Sequence, residues 1–130
     1  MPYSREVDEN GIIITTLSGI VTVKELIELQ NELPSYECND EIYELVIHPH
    51  EHETIQSSDE AVTLADNVRR VMKKFKKGAI AFVASRDYVF ATLRQLQMRV
   101  ENEYIQMAVF RTEETAHKWL LEMKSGNAQI

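Results

Sequence analysis

Apolar positions along this chain switch between continuous runs and helical spacing, and the switches predict its elements. Ala79-Ile80-Ala81-Phe82-Val83-Ala84 is an unbroken uncharged run of strand length. Such a run followed by a helix is how a parallel strand buried on both faces reads. The helix is expected from Asp87 to about Glu103, with Val89, Leu93, Leu96, Val100 and Tyr104 on one face. A strand from Ile105 to Phe110 and a helix from Glu113 to about Lys124 repeat the unit. Ala116, Trp119, Leu120 and Met123 form the apolar side of that last helix. Two successive strand–helix units fix the class as α/β.

The first half is punctuated differently. Tyr3 to Val7 reads as a short edge strand, and Asp8-Glu9-Asn10-Gly11 carries the Asn-Gly hairpin signal. Ile12 to Leu17 then follows as its antiparallel neighbour, and Gly19 opens the turn into a helix. Thr22 and Glu25 have capping-box spacing. Val23, Leu26, Ile27, Leu29 and Leu33 share a face behind them, and Pro34 ends the helix. A polar connection leads to a short buried strand, Leu45-Val46-Ile47, closed by His48-Pro49. Ser57 and Glu60 form a second capping box, so a helix starts near Ser58. Ala61, Leu64, Ala65, Val68, Val71, Met72 and Phe75 are its stripe, and Gly78 is its expected stop. The order β-β-α-β-α-β-α-β-α predicts one domain over residues 1–130. Its sheet is mixed and five-stranded: an antiparallel edge strand, four parallel strands and right-handed crossover helices.

With 130 residues, 44% apolar and 27% charged, the chain has the composition of one globular domain. No run approaches bilayer-spanning length. The polar N-terminus, with Arg5 and Glu6 early, reads as no secretory signal, and the lone Cys38 allows no internal disulfide. A cytoplasmic location is expected. The net charge of −7 argues against nucleic acid as a partner. That charge is unevenly spread. Arg69, Arg70, Lys73, Lys74, Lys76 and Lys77 are six of the fourteen basic residues, which leaves the remainder near −13 (−7 less the run's +6).

The strand Ala79 to Ala84, the helix opening Asp87-Tyr88-Val89-Phe90-Ala91-Thr92-Leu93-Arg94 and the segment from Val109 to Leu120 together resemble the SpoIIAA-like family. That group shares its fold with the STAS domains of anti-sigma-factor antagonists and, more distantly, with lipid-carrying CRAL-TRIO domains. Phe110-Arg111, the acidic pair Glu113-Glu114, Ala116 and Trp119-Leu120 look most like the family. The resemblance implies a STAS-like fold and a non-catalytic binding or regulatory module. It also suggests, as an alternative, a carrier or sensor of a small apolar or amphipathic ligand. STAS antagonists carry Ile-Asp-Ser-Ser-Gly where this chain has Ile55-Gln56-Ser57-Ser58-Asp59. The resemblance makes Ser57 the phospho-acceptor position. Gln56 and Asp59 depart from the pattern, and Asp59 and Glu60 would repel a phosphate there. The residues themselves assign Ser57 to capping the helix, which needs only its hydroxyl.

Three further patterns bear on chemistry. His48, His50 and His52, with Glu51 and Glu53, are suitable metal ligands just past a parallel strand. No fourth ligand stands at a known spacing, and neither a structural metal nor any other cofactor is expected. The basic run could hold an anion, but it also complements the C-terminal end of a helix dipole. On the helix from Asp87, the residues Tyr88, Ala91, Gln95, Met98 and Asn102 make a second, uncharged stripe. Tyr and Met without charge suit a partner surface or a ligand wall. The expectation is a homodimer contact through Tyr88, Ala91, Gln95 and Met98. No phosphate loop, nucleophile elbow or HExxH motif appears, so an enzyme is not expected; a metal-dependent one through the histidines is a distant third reading.

Overall fold

The computed structural model describes residues 3–19, 22–33, 41–48, 58–100 and 105–126, less the side chains of Ser58 and Ala61. The elements run β1 (Tyr3–Val7), β2 (Ile13–Leu17), α1 (Val23–Asn31), β3 (Glu41–His48), α2 (Ser58–Met72), β4 (Lys77–Ala84), α3 (Asp87–Arg99), β5 (Ile105–Phe110) and α4 (Glu113–Ser125). One sheet holds all five strands in the order β1-β2-β3-β4-β5. β1 is antiparallel to β2, and the other three pairings are parallel. The expected mixed α/β sheet is present.

Local chemistry explains the element ends. Asp8 closes the first hairpin: its Oδ1 accepts from the backbone amides of Asn10 and Ile12 at 2.8 and 3.0 Å. Gly11 takes the left-handed conformation there, φ 78°. Thr22 and Glu25 make the expected reciprocal capping box on α1. Thr112 caps α4 by accepting from the Thr115 amide at 3.3 Å.

Three boundaries differ from the sequence reading. α3 ends at Arg99 instead of about Glu103, with the Val100 amide donating to the Leu96 carbonyl. β3 begins at Glu41 instead of Leu45, because the acidic residues in its first half have partners. Gly78 does not stop α2. That helix ends at Met72, and turn hydrogen bonds from Lys74 to Val71 and from Phe75 to Met72 finish it. Gly78 lies within β4, where a Cβ would overlap the Ile42 carbonyl oxygen of the neighbouring strand. Its missing side chain permits that close approach.

Consecutive strands step across the sheet in one direction. Right-handed crossovers between them must then all cross the same face. Residues of α1, α2 and α3 accordingly share one core with Ile13, Ile42, Val46, Ile80 and Phe82. α4 covers the reverse face, with Tyr43, Leu45, Ala79, Ala81 and Val83. No described helix is long and apolar enough to cross a membrane.

Candidate functional site

The period-two pattern of β3 sends Ile42, Glu44, Val46 and His48 toward the three-helix face. An acidic residue there is a charge inside a core. Glu44 is 3% exposed, and Arg5, whose side chain is 2% exposed, meets it from across β2. Arg5 Nη2 donates to Glu44 Oε2 at 3.1 Å, Nε donates to Thr15 Oγ1 at 2.9 Å, and Nη1 donates to the Leu29 carbonyl at 2.9 Å. Thr15 in turn donates to Glu44 Oε2 at 2.7 Å. The guanidinium thus links three strands to α1. Burial pushes the Glu44 carboxyl above its ordinary value, against the opposing pulls of Arg5 and Thr15. Both partners use Oε2, and no other hydrogen bond or ion pair reaches Glu44 from the described residues.

Beside this network lies a cavity of about 60 Å³ between the sheet and α1–α3. Val46, Ile80 and Phe82 form its floor with Glu44 and His48. Leu26, Leu29 and Leu33 come from α1, and Leu64, Val68 and Met72 from α2. Val89, Leu93 and Leu96 of α3 complete the apolar wall. The cavity exists because α2 packs chiefly on α1 and only thinly on α3. Its polar rim is Gln30, Thr92 and Tyr88. Gln30 accepts from Asn67 of α2 at 3.0 Å, and Thr92 donates to the Tyr88 carbonyl at 2.9 Å. Tyr88 is 59% exposed and marks the mouth.

The residues singled out from the sequence are placed unevenly. Tyr88, Ala91, Gln95 and Met98 are all exposed along α3, as one stripe, and Met98 is 72% exposed. Tyr88 belongs both to this stripe and to the cavity mouth. His48 is buried at the end of β3, its ring centroid 6.1 Å from that of Phe82. His50, His52, Ser57, Cys38 and Asn102 lie outside the described residues. Among the described residues no cluster of three His, Cys, Asp or Glu could hold a metal ion. The basic run is dispersed. Arg69 pairs with Asp66 at 3.2 Å, Arg70 donates to Asn31 at 2.9 Å, and Lys77 pairs with Glu41 at 3.6 Å.

Sequence reasoning missed Glu44 and Arg5. The signal was available: Glu44 stands two residues from both Ile42 and Val46, in register with a buried strand face.

At the carboxyl ends of β4 and β5, which stay paired to Val83 and Phe110, the chain leaves to opposite faces as α3 and α4. Open sheets often bind ligands in such a crevice. Here Arg111 spans it, donating to the Ser85 carbonyl at 3.1 Å and to Asp87 Oδ1 at 2.8 Å. Its guanidinium carbon lies 4.0 Å from the Phe90 ring centroid. The side chain fills this place and leaves the cavity under α3 as the better-formed concave site.

Chemically, the cavity offers apolar walls, one buried carboxyl group and one imidazole. No nucleophile with an adjacent base lines it among the described residues. That suits binding better than bond-breaking. Compared with known proteins, the chain matches no family model and no curated protein.

Proposed function

We propose that this domain is a non-catalytic binding module of the SpoIIAA-like type, and that it senses or carries a small, mainly apolar ligand in the cavity beneath α3. The supporting observation is the cavity itself: apolar on nearly every side, with two polar groups at its floor and a mouth at Tyr88. Close-packed interiors do not leave such space without cost.

Size narrows the ligand. One water needs about 10–15 Å³ of such volume, so the space equals about four to six waters. A membrane-lipid acyl chain does not fit. The occupant is a molecule, or the end of one, with few heavy atoms. Native mass spectrometry of the purified protein tests the reading directly. A co-purifying small mass that Val68→Phe removes is expected, since that side chain would occupy the space from α2. Loss-free retention of the mass in Val68→Phe would sink the reading.

The exposure of Tyr88 and Met98 favours a second role for α3. Its outer face suits pairing with a second copy across a two-fold axis, because it lacks charge and its apolar residues are not used by the core. Ligand entry at Tyr88 would then adjoin the subunit contact.

A further inference from the structure

We infer that the cavity selects an uncharged molecule with a compact apolar body and one hydroxyl group, the hydroxyl seated on Glu44 Oε1. This rests on reading the cavity as a ligand site and adds the chemistry of what it takes.

Charge balance is the first support. Arg5 and Glu44 neutralise each other inside the core at 3.1 Å. Among the described residues no other part of the wall carries a fixed charge. An ammonium ligand would bring a second cation to a carboxylate that Arg5 already holds. A carboxylate ligand would face Glu44 itself. Either adds an uncompensated charge to a dry site, which is costly.

The free valence is the second. Arg5 and Thr15 both use Oε2, so Oε1 is the carboxyl oxygen left for the cavity. A hydroxyl suits it in either protonation state: it donates to a carboxylate and accepts from a carboxylic acid.

Water is the third consideration. A buried water is held by two to four polar partners. The leucines, valines and phenylalanine around Glu44 supply none. An alcohol loses less, because it has one O–H to satisfy and carbons that the walls prefer.

A tiny ligand gains at most about 1.5 kcal/mol per heavy atom, so five heavy atoms reach micromolar affinity at best. Probes must therefore be used at millimolar levels. Amide NMR spectra of the full chain are recorded with xenon, n-butanol, its isomer diethyl ether, n-butylammonium and butyrate. Xenon and butanol are expected to shift the amides of Val46, Phe82 and Leu93, and Val68→Phe to abolish both responses. Butanol should saturate at least about tenfold below the ether and both ions, a difference of about 1.4 kcal/mol. Equal or tighter binding of either ion overturns the uncharged class while the cavity reading stands. Ether binding as tightly as butanol overturns the role of the hydroxyl. If neither xenon nor any other probe shifts these amides, the cavity reading falls together with the inference.

Discussion

The two faces of the sheet are covered by opposite means. On the reverse face, α4 alone lies over β3 and β4, and three small residues, Ala79, Ala81 and Ala116, are wholly buried at the contact among Tyr43, Leu45, Val83 and Leu120. Small side chains let the helix come close, and nothing polar is needed beneath it. On the other face three helices share the work, and the side chains between them and the sheet are large. Ile80, Phe82, Leu93 and Met72 line the cavity together with Glu44, and space is left over. On this face the ion pair and the enclosed cavity occur together, whereas the reverse face beside α4 carries a wider, more polar hollow lined by Ile14, Thr16, Leu45, Ile47, Glu113 and His117.

The sharpest way to break this contrast is to remove Arg5. Arg5→Met leaves Glu44 without its cation in the core, and loss of one partner of a buried pair costs about 3–5 kcal/mol. Urea unfolding should show that loss. Arg5→Met with Glu44→Leu should recover most of it, since an apolar pair of similar size carries no uncompensated charge. A single variant as stable as wild type would mean that the network holds nothing together.

Filling space on the two faces should then have opposite consequences. Ala81→Leu forces extra carbons under α4, where overpacking costs about 1–3 kcal/mol. Val68→Phe enters the cavity and should fall within about 1 kcal/mol of wild type, or above it. Equal destabilisation by the two substitutions would show that the three-helix face has no usable void.

Acid sharpens the comparison further, because the faces titrate with opposite sign. Burial pushes the Asp8 carboxyl up, but the amides of Ile12 and Asn10 and the nearby His117, 3.1 Å away, outweigh it and hold it below its ordinary value. A lowered value in the fold means stability that is present above about pH 4 and lost as pH falls through the folded value. Glu44 is raised, so its contribution is full below about pH 4 and declines as pH rises through its folded value. Asp8→Asn should therefore flatten the loss of melting temperature below pH 4 without altering the slope that Glu44 contributes above it. An unchanged acid limb in Asp8→Asn would remove Asp8 from the account.

The sequence made the sheet and helices readable because β4 holds an unbroken apolar run, the other parallel strands hold shorter ones, and each helix carries its own stripe. Val89, Leu93 and Leu96 could be assigned to the core of α3 from spacing alone, and the Thr22–Glu25 box from two residues. The cavity was not legible. It depends on how far α2 stands from α3, which no local pattern encodes. Glu44 was hidden for a related reason. A charge marks a strand's end unless a partner neutralises it, and that partner, Arg5, lies 39 residues away. Gly78 misled because a glycine after a helix reads as a stop, while its actual constraint is the backbone of β3.

The smallest effect on stability should come from the outer face of α3, and its smallness makes it informative. Ala91 and Met98 are exposed and belong to neither core cluster. Surface changes of this kind usually stay within about 0.5 kcal/mol. Ala91→Glu together with Met98→Lys should therefore melt as wild type does. If that face pairs two copies, the same change places buried charges at the contact, and light scattering should show a wild-type dimer replaced by a monomer. Tyr88 is kept because it belongs to the cavity mouth as well as to the stripe. The double variant then separates the two roles. Butanol shifts that survive in a monomeric variant would make the cavity and the contact independent, whereas their loss would mean that the second copy helps to close the site. A wild type already monomeric at high concentration would leave the α3 face without the role assigned to it.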